Sequence, residues 1–298
     1  MATPAQWIQG ARPRTLPTAV SPVVVGTGAA IGSGTIAPGR ALLALVVAVA
    51  LVVGVNYAND YSDGIRGTDD DRVGPARLVG SRAAAATTVR TAAFLCFAVA
   101  GLAGLTLVSL SREWWLIAVG AVCVAAAWFY TGGRRPYGYV GLGEVAVFVF
   151  FGPVAVLGTT LTQSGPPNAL AVVSAVGVGM LTCAVLVANN LRDIPTDETV
   201  GKRTLAVILG DHDTRRLYAA LVLLPFLLTA LAALRSWPML LGLVALPAAV
   251  MPVRKVLAGA DGRALIRVLG QTGLLLLSWS VLTGVGLALG SLFSTALF

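Results

Sequence analysis

Charged loops divide the chain into nine apolar runs, at about residues 15–34, 41–60, 88–110, 114–131, 142–162, 169–190, 217–234, 237–253 and 269–295. Crossing a bilayer core as an α-helix takes about 20 residues, and these runs are of that order. In hydrocarbon every main-chain N–H and C=O must be paired within a helix or around a closed barrel. A barrel would show alternating segments of about ten residues, whereas Ala41–Val53 is an unbroken apolar run. Composition agrees: 57% of the residues are hydrophobic and 11% are Asp, Glu, Lys or Arg, against about 25% charge in a soluble domain. Disorder, collagen-like repeats and disulfide scaffolds are excluded on the same grounds. The expected architecture is all-α: a polytopic membrane bundle of nine transmembrane helices forming one domain over residues 1–298. The 34 glycines, with scattered Ser, Thr and Ala, suit close helix approach.

Lys and Arg set the expected orientation. Threading nine spans puts the N-terminus and the loops near 60–87, 132–141, 191–216 and 254–268 on one side, with 18 of the 21 basic residues. Only Arg40, Arg112 and Arg235 fall on the other. The basic side is expected to be cytoplasmic, in a plasma membrane, with the C-terminus outside. The net charge of +8 then reflects topology and an anionic ligand, and no nucleic-acid or obligate protein partner is expected. The first apolar run follows Arg12 and Arg14 and reads as a span, not a cleavable leader. Cys96, Cys123 and Cys183 are isolated within spans and read as small core residues, and His212 as a solvated loop residue.

Two acidic clusters stand where the second and sixth spans reach the basic side. Asn56 to Arg72 reads NYANDYSDGIRGTDDDR, and Asn189 to Thr204 reads NNLRDIPTDETVGKRT. If the helix continues, Asn56, Asp60 and Asp63 share one face, and so do Asn189, Asp193 and Asp197. Pro195 lies inside the second cluster, where proline ends or kinks a helix and leaves the position of Asp197 open. Carboxylates beside an apolar span are costly unless paired, solvated or bound to a cation. Mg²⁺ suits them, because it binds one or two carboxylates while sharing phosphate oxygens. Arg66, Arg72, Arg192, Lys202 and Arg203 stand beside the acids, the mixture a metal-bound diphosphate needs. The repeated layout four spans apart also hints at an internal duplication, helices 1–4 and 5–8 plus a ninth.

These residues resemble the UbiA-type intramembrane prenyltransferases. That family's first motif, N-D-x-x-D-x-x-x-D, is matched by Asn59, Asp60 and Asp63, and its second, D-x-x-x-D, by Asp193 and Asp197. Gly67 departs from the pattern at the third Asp position, and Asp69 is the nearest replacement. The flanking words are similar to the menaquinone branch: Ala11 to Pro17, Asp69 and then Arg72 to Pro75, Tyr130 to Glu144, and Gly201 to Ala206. The resemblance covers nearly the whole chain. It implies transfer of a long polyprenyl group from polyprenyl diphosphate to 1,4-dihydroxy-2-naphthoate, with loss of CO₂ and diphosphate, giving demethylmenaquinone.

On that resemblance two Mg²⁺ ions are expected, held by Asp60 and Asp63 on one side and Asp193 and Asp197 on the other. Asp69 is a further candidate ligand, and Asn56, Asn59 and Asn189 would coordinate or orient the carboxylates. Arg72, Lys202 and Arg203, with Arg66 and Arg192 as further candidates, would bind the diphosphate. Tyr57, Tyr61, Tyr130, Tyr137 or Tyr139 would stabilise the allylic cation or contact the acceptor. Arg12, Arg14, Arg134 and Arg135 are candidates for the acceptor carboxylate, and segment 64–87 for closing the site against water. The sequence names no general base. The competing readings are another acceptor such as 4-hydroxybenzoate, a CDP-alcohol phosphotransferase, whose signature is absent, and a cation-coupled transporter. A transporter would place its acids near the midplane, not at helix ends.

Overall fold

The computed structural model describes residues 2–67 and 77–294. Among them the regular structure is wholly helical. Thr3 opens α1 (Pro4–Gly10) with a capping box, its hydroxyl taking the Gln6 N–H while the Gln6 side chain takes the Thr3 N–H. The long apolar runs become α2 (Leu16–Gly32), α3 (Pro38–Arg66), α4 (Ala86–Ser111), α5 (Leu116–Phe129), α6 (Gly143–Val149), α7 (Gly158–Ser164), α8 (Ala169–Thr199), α9 (Leu205–Ala233), α10 (Leu246–Leu257) and α11 (Gly262–Ser294). A π-helical stretch, Phe150–Leu157, joins α6 to α7, and a 3₁₀ stretch, Trp237–Ala245, leads into α10.

Eight helical segments are long and apolar enough to cross a membrane: α1–α2, α3, α4, α6–α7, α8, α9, the 3₁₀–α10 pair and α11. The chain is a multi-pass membrane protein. The expected span 114–131 is instead a 14-residue helix, α5. At 1.5 Å per residue it covers about 21 Å of a core about 30 Å thick. A correction concerns 191–216, which is mostly helical and not a loop, with one break in the helix at Gly210. Pro195 removes one donor without ending α8, and the Thr204 hydroxyl caps α9 at the Val207 N–H, so only 200–204 lie between the two helices. His212 accordingly lies on a helix, exposed and beside Asp213.

The loops gather at two ends. At one, Tyr57 donates to Trp7 O, Arg66 to the carbonyls of Thr131 and Gly133, the Arg203 N–H to Tyr139 O, and Arg215 to Val256 O and Ala260 O. At the other, Arg40 ties Leu110 O to Thr162 O. The most extensive helix pairs are α3 on α4, α8 on α9 and α2 on α11. The largest buried cluster centres on α8, α9, α10 and α11, around Tyr218, Trp279, Leu181 and Leu276. Small residues permit this closeness: a Cβ on Gly28 would strike the main chain of Gly284, and one on Gly152 would lie 2.6 Å from Ala175 O.

The π stretch has a cause in the sequence. Pro153 lies inside it, offers no N–H, and would clash with the carbonyl of an ordinary α turn. The widened turn presents Phe150, Phe151 and Val154 to the large cavity described next.

Candidate active site

A cavity of about 550 Å³ runs between α2, α3, α5, α8 and the π stretch. Its walls are apolar for most of its length, with Val23, Leu51, Val119 and Val154 among them. Its mouth, at the end where α3 and α8 finish, is lined by Asn56, Asn59, Asp60, Asp63, Arg77, Asn189, Asn190, Arg192 and Lys202. Such an amphipathic shape suits a ligand with an anionic head and a long apolar tail.

Both acid-bearing helices run past the expected span ends: Asp60 and Asp63 of α3 line the mouth, whereas Asp193 and Asp197 of α8 lie beside it, behind the lining residues Arg192 and Lys202. Asp60, Asp63, Asp193 and Asp197 are 1%, 3%, 3% and 7% exposed. Each is met by donors of the protein itself. Asp60 accepts from the main-chain N–H groups of Leu78 (2.8 Å) and Val79 (3.0 Å), which pins the segment after residue 76 over α3. Asp63 accepts from the Tyr139 hydroxyl at 2.6 Å and pairs with Arg77 at 3.1 Å. Asp193 is gripped through both oxygens by Arg192, at 2.7 and 2.8 Å. Lys202 Nζ stands 3.3 Å from Asp197.

Gly67, the departure in the first motif, has a structural reason. It ends α3 in the left-handed conformation (φ 71°), which favours glycine over Asp. Asp69 and Arg72, with Asp70 and Asp71, lie outside the described residues.

The asparagines act mainly as fasteners. Asn56 Nδ2 donates to Ala11 O (2.9 Å) and Thr15 Oγ1 (3.0 Å), tying the N-terminal segment to α3. Asn59 Oδ1 accepts from the Thr131 hydroxyl at 2.8 Å. Asn189 Oδ1 accepts from Arg192 at 2.9 Å. Arg66 holds the 131–133 turn and lies 5.5 Å from the Tyr139 ring, while the Lys202 ammonium lies over the same ring at 5.3 Å. Arg203 is exposed and contributes its main-chain N–H to Tyr139 O.

The five candidate tyrosines separate cleanly. Tyr130 and Tyr137 line the cavity and meet edge to face at 5.5 Å. Burial pushes the Tyr137 phenol up to about 12, so it stays a neutral donor. Tyr139 grips Asp63. Tyr57 turns its hydroxyl to Trp7 O, and Tyr61 stacks on Trp128 beneath Arg90, so neither lines the cavity. Of the candidate carboxylate-binding arginines, Arg12 and Arg14 line the cavity, whereas Arg134 and Arg135 are exposed outside it.

Sequence reading missed Arg77, Thr131, Asn190 and Glu144 as parts of the site. Arg77 follows the Arg72–Pro75 word by two residues, and Asn190 is the second half of the Asn189–Asn190 pair. Those were the available signals.

No group of three or more His, Cys, Asp or Glu side chains converges on one point among the described residues. The donor chemistry nonetheless fits a hard divalent cation. The acids stand in pairs on α3 and α8, and among the described residues the side chains at the mouth offer carboxylate and amide oxygens beside Arg77, Arg192 and Lys202.

The model of the UbiA prenyltransferase family matches residues 19–281. The chain belongs to that family. It is 58% identical to the 1,4-dihydroxy-2-naphthoate octaprenyltransferase of Mycobacterium tuberculosis over 98% of this chain and 100% of that one. It is 37% identical to the protein of the same name from Escherichia coli, over 89% of each chain. Its fold is similar to that of a UbiA homolog from Archaeoglobus fulgidus solved with GPP and Mg²⁺, with a TM-score of 0.66 at 11% identity, covering 93% of this chain and 99% of that chain. In this chain α3 and α8 both line the mouth and the channel of the cavity.

Proposed function

We propose that this membrane enzyme transfers a polyprenyl group from polyprenyl diphosphate to 1,4-dihydroxy-2-naphthoate, releasing CO₂ and diphosphate and yielding demethylmenaquinone in its reduced, quinol form. The observation that carries the reading is one cavity with an acidic and basic mouth and an apolar channel, in a chain so similar to enzymes named for that acceptor. The tail lies along the channel, where burial of each CH₂ contributes about 0.8 kcal/mol. Arg77, Arg192 and Lys202 meet the diphosphate oxygens, exchanging part of their contact with Asp63, Asp193 and Asp197 for contact with the ligand. The C–O bond to diphosphate breaks, the ring carbon bearing the carboxylate bonds to the allylic carbon, and cleavage of its bond to the carboxylate releases CO₂ and restores the aromatic ring. Tyr130 and Tyr137 present neutral aromatic groups to the allylic carbon, each contact contributing about 0.5–2 kcal/mol.

Asp60, Asp63, Asp193 and Asp197 would hold Mg²⁺, two ions in all, with Asn189 orienting Asp193 and Asn59, fastened to Thr131, beside Asp60 on α3. When bound, the metal supplies Lewis-acid stabilisation of the leaving diphosphate. The main-chain N–H groups of Leu78 and Val79 on Asp60 draw the 77–80 segment over the mouth, which helps exclude water.

Orientation belongs to the same reading. With α5 counted as a short ninth crossing, 18 of 21 basic residues fall at the end that carries the site, which supports a site at the cytoplasmic face of the plasma membrane. The chain is then one domain over 1–298 in which two four-crossing units each contribute an acid-bearing helix. In support, α3 and α8 each pack most extensively on the helix that follows. Labelling of a Val200→Cys variant from outside intact cells would reverse the orientation.

The test is a prenyl-transfer assay on purified protein with a labelled polyprenyl diphosphate, with Mg²⁺ and with EDTA, and with 4-hydroxybenzoate as rival acceptor. Metal-dependent product from the naphthoate alone is expected. Product from the rival alone would change the acceptor and keep the chemistry, and transfer to neither would remove the reading.

A further inference from the structure

Glu144 is an uncommon residue for its position. It sits on the first turn of α6, 7% exposed, in a segment apolar enough to lie in the membrane. Its Oε1 accepts from Asn190 Nδ2 at 2.9 Å, while its Oε2 is buried without a partner among the described residues. A carboxyl group kept in such a place is costly and marks function more often than packing.

Asn190 supplies the link to the cavity. It lines the wall one helical turn above Leu186, where the apolar channel gives way to the polar mouth. Because a carboxylate accepts and does not donate, Glu144 fixes the amide with its nitrogen inward. Asn190 Oδ1 is thereby turned away from Glu144, takes no partner among the described residues, and is not sealed from the cavity. Tyr130 lines the same stretch, its hydroxyl without a partner among the described residues and close to Gly143, the neighbour of Glu144.

We propose that Asn190, held by Glu144, and the Tyr130 hydroxyl form the subsite that takes a ring hydroxyl of the aromatic acceptor. The inference rests on the prenyl-transfer reading above. The reacting carbon of the donor is the one joined to diphosphate, so it lies where mouth meets channel, and the acceptor ring must approach it to about 3–3.5 Å. Asn190 and Tyr130 stand at that boundary with one acceptor and one hydroxyl available. Glu144 is a positioning residue: it acts on the acceptor through Asn190.

The experiment measures KM for each substrate in Glu144→Gln, Asn190→Ala, their double variant and Tyr130→Phe. A Gln at 144 can donate as well as accept, so it no longer dictates which way the Asn190 amide points. Glu144→Gln is expected to raise KM for the naphthoate about ten-fold while leaving KM for polyprenyl diphosphate within about two-fold. The double variant should be no worse than Asn190→Ala, the non-additivity of residues acting as one unit. Tyr130→Phe keeps the ring and should also raise the naphthoate KM alone, and it decides the matter if Glu144→Gln does not fold. An unchanged acceptor KM, equal shifts for both substrates, or additive effects at 144 and 190 would overturn the proposal. Wild-type protein that transfers nothing to the naphthoate would instead overturn the functional reading, which separates the two failures.

Discussion

The Tyr139 hydroxyl donates to Asp63 at 2.6 Å, joining the turn after α5 to the acidic end of α3 across 76 positions of sequence. The same ring carries Arg66 on one contact and Lys202 on another. Tyr139 therefore connects one acid of the first motif to a base beside the second.

That connection predicts the behaviour of Tyr139→Phe. A hydrogen bond to a charged group contributes about 1.5–3 kcal/mol, and partners that orient a metal-holding carboxylate affect metal affinity about 10–100-fold. The variant should need at least about ten-fold more Mg²⁺ for half-maximal transfer. A Mg²⁺ titration of activity checks this, and an unchanged midpoint would detach Tyr139 from the metal site.

Asp60→Asn and Asp193→Asn keep the shape of each side chain and remove its charge. Turnover should fall more than about 100-fold in both, as expected when a transition-state charge loses its metal. Detergent-purified protein should still melt cooperatively. Activity within a few-fold of wild type in either variant would take that residue out of the site.

The separation of the tyrosines gives a paired test. Tyr137→Leu removes an aromatic face from the cavity and should lower kcat by up to about 30-fold, the equivalent of about 2 kcal/mol. Tyr61→Leu disturbs the stack on Trp128 and the contact with Arg90 and should stay within about three-fold, since Tyr61 does not line the cavity. Equal losses measured in the transfer assay would contradict the assignment.

Stability has its own prediction at the π stretch. A side chain at Gly152 would collide with Ala175 O at 2.6 Å and with Gly179 of α8. Gly152→Val should cost about 1–3 kcal/mol, the usual penalty of overpacking. Its thermal midpoint in detergent should fall by several degrees, while Gly158→Ala, where an added Cβ meets nothing within 4 Å, should leave it unchanged.

Apolar run length and the Asn-to-Asp spacing are local properties, and they carried the sequence reading to an all-helical membrane chain with carboxylates on α3 and α8. Where local signals competed, it fell short. The run 114–131 has the hydropathy of a span but forms a 14-residue helix, because turns at both ends take up its margins. Pro195 looked like a stop and is absorbed within α8. Charged residues suggested a loop over 205–216, yet the Thr204 cap and the apolar residues after it start a short helix that breaks at Gly210 (φ 75°, ψ 173°) before the long part of α9 begins.

By itself the sequence determined what had to be buried and what had to be paired: apolar runs too long for water, and acids and bases too close to lipid to stand alone. Only the tertiary structure decided which group meets which. Asp60 takes main-chain donors from residues 78 and 79, Asp63 takes Tyr139 and Arg77, and Glu144 finds Asn190 across 46 positions. Those pairings depend on how α3, α6 and α8 pack and on where the π turn opens a channel. Contacts between residues far apart in the chain leave no periodic trace in it.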